Sequence, residues 1–239
     1  MSFKRLDPED ISISAESIVS PAWSTDAVEL KADSPFGFFR SDGQIASNTG
    51  NFYHEVYHKA TTEAGSRVQF AIAYGHKTGL GSVPFNSNVA GKSPSAVIYG
   101  QYRNLVFGDE TQNFTFSKHT PNDIYVINVE RARFKHNLKP GSLNLKLHNC
   151  NVASIGKPDG TITLELTDDS VFATGSAVIT NLGRQFNIVS GSNGQAVGNT
   201  IDQVAASSSY GLFYPDTGII LLNPDMFGGF LKPRRNQGL

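Results

Sequence analysis

The strongest constraint on this chain is a two-residue apolar period that returns between turn signals. Leu143, Leu145 and Leu147 alternate with polar residues, and Ile162, Leu164 and Leu166 do the same. Pro140-Gly141 precedes the first run and Pro158-Asp159-Gly160 precedes the second. A period of two sends successive side chains to opposite faces of a strand, so both runs predict half-buried strands that pair as a meander. The same reading makes strands of residues 67–74, 113–116 and 124–134, the last with Tyr125, Ile127 and Val129 on one side. Phe186-Asn187-Ile188-Val189 begins a strand that runs into a turn at 191–194. Residues 210–214 and 219–222 flank Pro215-Asp216-Thr217-Gly218 as a hairpin.

Two segments carry helical spacing instead. Ile98, Tyr102, Leu105 and Val106 mark a helix over 95–107. Phe52, Val56 and Lys59-Ala60 predict a short helix over 51–64, with Asn51 as N-cap and Gly65 as stop. The expected fold is β-dominated: antiparallel sheets or a sandwich, one or two short helices, and extended terminal arms. Its expected parts are an N-terminal arm 1–50, a core 51–222 and a C-terminal arm 223–239.

Composition narrows the function classes. With 20 basic and 21 acidic residues the net charge is −1, which lacks the basic excess of a nucleic-acid binder. Charged residues are 17%, while 16 Phe and 8 Tyr supply a core. Low charge with many turn formers suits β-structure and protein–protein surfaces. The single cysteine, Cys150, permits no intramolecular disulfide and reads as a structural thiol. The first residues hold no apolar signal-peptide core, and no stretch approaches the ~18–20 apolar residues of a membrane span.

The sharpest chemical motif is His54-Glu55-Val56-Tyr57-His58, a literal H-E-x-x-H. On a helix, histidines four apart share a face and bind Zn²⁺ while the glutamate activates water. The extended signature is missing, because Thr61 and Ala64 stand where its glycine and third histidine belong. Ordinary imidazoles beside Phe52, Tyr53 and Tyr57 are the simpler reading. Gly91-Lys92-Ser93 lacks the earlier glycine of a phosphate loop, and Pro94 follows it. Asp168-Asp169-Ser170 reads as carboxylates in a turn rather than a Ca²⁺ loop. No catalytic residue, metal or cofactor is expected.

Contact residues are a better expectation. Trp23, Phe36, Phe38 and Phe39 lie in a Gly/Pro-broken segment, as do Met226, Phe227 and Phe230 near the other end. Large aromatics in irregular chain need a surface to bury them, either this chain's core or a neighbour's. Arg131, Arg133 and Lys135 alternate on the expected strand, as a protected solvated edge, an acidic protein partner's contact or, least favoured, a phosphate contact.

The order of several segments resembles a known family. These are Phe3-Lys4-Arg5-Leu6-Asp7-Pro8-Glu9-Asp10-Ile11, Arg67-Val68-Gln69-Phe70-Ala71-Ile72-Ala73-Tyr74-Gly75-His76 and Ile98-Tyr99-Gly100-Gln101-Tyr102-Arg103-Asn104-Leu105. Ile124-Tyr125-Val126-Ile127-Asn128-Val129-Glu130-Arg131-Ala132-Arg133, Leu138-Lys139-Pro140-Gly141, Val189-Ser190-Gly191-Ser192 and Tyr210-Gly211-Leu212-Phe213-Tyr214-Pro215 follow. The chain resembles virion structural proteins of contractile-tailed, T4-like phages, especially those of marine cyanobacteria. The resemblance implies a tail or baseplate role without enzymatic activity. It also implies multiple copies in a symmetric assembly, other tail or baseplate proteins as partners, no nucleic acid or membrane, and synthesis in the host cytoplasm. The competing expectations are a zinc hydrolase built on residues 54–58 and a fibre-type module that binds a receptor or glycan through loop 75–95.

Overall fold

The computed structural model describes residues 53–57, 62–80, 93–147, 164–172, 177–197 and 209–230. Residues 19–20, 28–29, 39–40, His54 and 228–230 are described by their backbone alone. The strands in chain order are β1 (Val19–Ser20), β2 (Val28–Glu29), β3 (Phe39–Arg40), β4 (Tyr53–Tyr57) and β5 (Val68–His76). The single described helix, α1 (Pro94–Phe107), comes next, followed by β6 (Asp123–Val129), β7 (Asn137–Leu138), β8 (Leu145–Leu147) and β9 (Leu164–Asp168). The last are β10 (Val178–Thr180), β11 (Gly183–Ser192), β12 (Gln195–Ala196), β13 (Gly211–Tyr214) and β14 (Ile219–Leu222).

The expected β-dominated fold is the observed one. Ten strands form one curled, half-barrel sheet in the order β2-β8-β9-β11-β13-β14-β6-β5-β4-β3, with β10 and β12 attached to β11. Pairing is antiparallel apart from β2 with β8; β1 pairs with β7 in parallel as a separate ladder. The expected meander is present, with Leu145 opposite Leu166 and Leu147 opposite Leu164. So is the hairpin, whose register runs from Gly211 opposite Leu222 to Tyr214 opposite Ile219. Its turn needs Gly218, held at φ +72 with a side chain excluded by the Phe134 ring, and Gly218 N–H closes the turn on Tyr214 O at 2.9 Å.

Alternation divides the central strands between two cores. Phe70, Ile127, Val129, Phe213, Ile220 and Leu222 enter one, where the curl brings Leu145, Leu166 and Ile188 to meet them. Ala73, Ile124, Val126, Leu212, Tyr214 and Leu221 enter the other, covered by α1 through Ile98, Tyr99, Tyr102 and Val106. Pro94 opens α1, and Gly108 ends it in the left-handed conformation with its N–H on Asn104 O at 2.8 Å.

Four expectations are corrected. Residues 53–57 form a strand, because β5 supplies a ladder from Tyr53 opposite Ala73 to Val56 opposite Phe70. Local helical spacing yields to that long-range pairing. The strand expected over 124–134 stops at Val129: Val129 N–H already reaches Gly218 O in the turn, and Arg131–Arg133 becomes a 3-10 turn closed by Arg133 N–H on Glu130 O at 2.8 Å. Residues 113–116 form no strand beyond the single Phe116–His119 bridge, although Phe114 and Phe116 are both fully buried. The arm expected from 223 stays with the core at first, since Asn223 and Phe227 are fully buried around the 3-10 turn Pro224–Phe230. Among the described residues no helix is long and apolar enough to cross a membrane.

Phe213→Ala should cost about 3–5 kcal/mol in urea denaturation, as truncation of a buried aromatic does. Val197→Ala, at an exposed site, should stay within about 0.5 kcal/mol.

Candidate functional site

The zinc reading required His54 and Glu55 on a helix. They lie on β4, a strand, so the helical turn that sets residues four apart on one face is absent at 53–57. Glu55 accepts a hydrogen bond from the Tyr57 hydroxyl two residues on, and that bond leads the causes raising Tyr57 to about 12. His58 lies outside the described residues. Among those described, no group of three or more His, Cys, Asp or Glu is placed to hold a metal.

A gathering of polar and aromatic side chains occurs where β5 ends and β6 begins. Tyr74 sits opposite Tyr125 in the ladder, with ring centroids 5.2 Å apart. The Tyr74 hydroxyl donates to Asp123 Oδ2 at 3.1 Å in a buried bond. Burial first and Asp123 second push the Tyr74 hydroxyl well above its ordinary value, and the same two causes raise Tyr125. Both phenols therefore remain protonated donors at neutral pH. On the open side, His119 Nε2 lies 2.6 Å from Asp225 Oδ2 and joins the turn before β6 to the 3-10 turn after β14. The cluster latches two segments together and leaves an imidazole–carboxylate pair facing solvent.

The two carboxylates at the end of β9 serve neighbouring stretches of the chain. Asp168 is fully buried and accepts from Gly141 N–H (2.8 Å), Leu143 N–H (3.2 Å), Ser170 N–H (3.3 Å) and the Ser170 hydroxyl. Asp169 accepts from Asn187 N–H (2.9 Å) and Asn187 Nδ2 (3.0 Å), and burial raises its carboxyl above the usual value. The turn reading of 168–170 is the observed geometry.

The expected contact residues scatter. Trp23, Phe36 and Phe38 lie outside the described residues; Phe39 is described by the backbone pairing of β3 with β4. Arg131 donates from Nη1 to Phe134 O at 2.7 Å, with its guanidinium 4.6 Å from that ring, so it caps its own turn. Arg133 is half-buried on the same turn, and no strand face unites the two. Phe227 packs into this chain's own core rather than onto a neighbour, with half-buried Met226 against it; Phe230 is described by backbone alone.

Sequence reasoning missed the clamp between Arg184 and Asp216. Asp216 Oδ1 accepts from Arg184 Nη2 (2.6 Å) and Nε (3.1 Å), and Oδ2 accepts from Arg184 N–H (2.7 Å). The partners are 32 residues apart, and only the pairing of β11 with β13 brings them together. Comparison with protein-family models, with curated proteins and with solved structures gave no match.

Burial alone would raise Asp216, but the Arg184 guanidinium and backbone N–H, with Asn137, together outweigh it and hold the carboxyl below its ordinary 3.8. A depressed folded-state value adds stability above the unfolded value and loses it as pH falls through the folded one. Asp216→Asn should therefore cost about 1–3 kcal/mol at neutral pH. In urea melts run at falling pH, the gap from wild type should narrow below pH 3.8.

Proposed function

We propose that this chain is a structural component of a tailed-phage particle, a tail or baseplate protein that acts through protein–protein contacts and not as an enzyme. The observation that carries the reading is the behaviour of the N-terminal segment. It contributes strands two residues at a time to three separate places: β1 beside β7, β2 beside β8 and β3 beside β4. Two of these lie at the opposite edges of the ten-strand sheet. An extended segment that adds backbone to sheet edges uses the β-augmentation mode by which extended chain docks onto a folded domain. Short ladders of this kind suit an arm that orders on its own sheet or on a neighbour's. The segment order that resembles contractile-tail virion proteins points the same way, as does the inward use of Asp168, Asp169 and Asp216.

On this reading the chain is made in the host cytoplasm and incorporated into the tail in several symmetric copies. Mass spectrometry of purified particles, with heads and tails separated, tests it. The expected result is a fixed stoichiometry in the tail fraction, and loss of normal assembly when residues 1–40 are deleted. Absence of the chain from particles would overturn the reading.

A further inference from the structure

β9 ends in two residues that hold two different turns. Asp168 takes up the N–H groups of the 139–143 turn. Thr167 is fully buried and takes up a bond from the hairpin of β11 and β12: Gly194 N–H donates to Thr167 Oγ1 at 2.7 Å, away from solvent. That hairpin turns on Asn193 and Gly194, between Ser192 and its ladder partner Gln195. Their φ values are +48 and +74, the positive pair that a type I′ turn requires. Gly194 has no room for a side chain, since a Cβ there would stand 2.7 Å from Gly141 O and 3.0 Å from Val171 Cγ2.

Asn193-Gly194 is the single Asn-Gly pair in the sequence, and that pair has a chemistry of its own. The backbone nitrogen that follows an asparagine attacks the asparagine's side-chain Cγ, most readily when it belongs to glycine, where no Cβ hinders the approach. A C–N bond closes a succinimide ring. The attacking nitrogen gives its proton to solvent base, and the side-chain nitrogen leaves as ammonia. Water then opens the ring at either carbonyl and yields aspartate or isoaspartate. Asn193 is exposed, so its carboxamide meets the water the reaction needs. Gly194 is buried, and its nitrogen is the group that Thr167 engages.

We propose that Asn193-Gly194 is a deamidation site that the Thr167 hydroxyl holds shut in the folded chain. To react, Gly194 N must lose the proton it donates to Oγ1, and burial disfavours the anion that results. It must also swing toward Asn193 Cγ, which the Ser192–Gln195 pairing and the packing beside Gly141 and Val171 oppose. The consequence of reaction is local and permanent. Isoaspartate adds a main-chain atom to a two-residue turn, introduces a carboxylate and draws Gly194 N–H away from Thr167. Opening of the β11–β12 hairpin is thereby converted into a covalent change. This inference rests on the geometry of the turn and is independent of the virion reading.

The test incubates the full chain at mildly alkaline pH, folded and in urea, and follows deamidation at Asn193 by tandem mass spectrometry. The unfolded chain should deamidate there while the folded wild type stays intact over the same time. Thr167→Val removes the acceptor and keeps the shape, and should speed the folded-state reaction about tenfold, the rate equivalent of one hydrogen bond. Thr167→Ser should keep the wild-type rate. Ile220→Val, a truncation in the core, controls for a general loss of stability and should leave the rate unchanged. Amide hydrogen exchange on the wild type gives a reading that needs no variant: Gly194 N–H should exchange slowly. A folded wild type that deamidates as fast as the unfolded chain, or that exchanges Gly194 N–H rapidly, would overturn the proposal. So would a folded Thr167→Val as slow as wild type, or an equal acceleration in Ile220→Val.

Discussion

The hairpin of β13 and β14 is apolar on both faces, and every one of its strand residues is buried. A sheet buried on both sides cannot be covered by one layer. Its alternating side chains demand two cores, Phe213, Ile220 and Leu222 on one side and Leu212, Tyr214 and Leu221 on the other. One demand is met by α1 together with Phe114 and Phe116. The other is met by the sheet itself, which curls until Leu145, Leu166 and Ile188 face Phe70 and Ile127. Among the described residues a single helix is available to cover a sheet with two hydrophobic faces, and the half-barrel follows from that.

Where ladders end, carboxylates take over. β9 stops at Asp168, and that side chain accepts the N–H groups of the 139–143 turn that no strand satisfies. Asp169 does the same for Asn187, and Asp216 for the start of β11. Buried backbone donors need partners, and a carboxylate supplies several acceptor positions at once. These acids hold turns in place, and their charges are spent in doing so.

What the sequence made legible was whatever its neighbours in sequence decide. The hairpin 211–222, the Leu145–Leu166 meander and α1 each carry their period and their turn residues within a short window. What it hid depends on partners far along the chain. Residues 53–57 have helical spacing, yet β5 offers them a ladder, and the H-E-x-x-H pattern drew the same wrong conformation. Arg131 and Arg133 alternate as strand residues do, but β14 begins only after the turn at Gly218, and Arg133 N–H closes a 3-10 turn on Glu130 O instead of extending the ladder. Phe227 resembles an arm aromatic in its Gly-rich setting, and only the position of Tyr210, 5.7 Å between ring centroids, reveals a core residue. Val178 and Ile179 on β10 are exposed yet look like an ordinary strand in sequence, since alternation does not say whether a face is covered.

The placing of β2 and β3 at opposite edges carries a metric consequence. Nine strand spacings separate them along the sheet, which at ~4.8 Å each amounts to ~43 Å if the sheet were flat. Ten residue steps lead from Glu29 to Phe39, and an extended chain of that length reaches at most ~36 Å. The tether is too short for a flat sheet. Chain length between residues 29 and 39 thus sets an upper bound on how far the half-barrel can open, as a bowstring limits a bow.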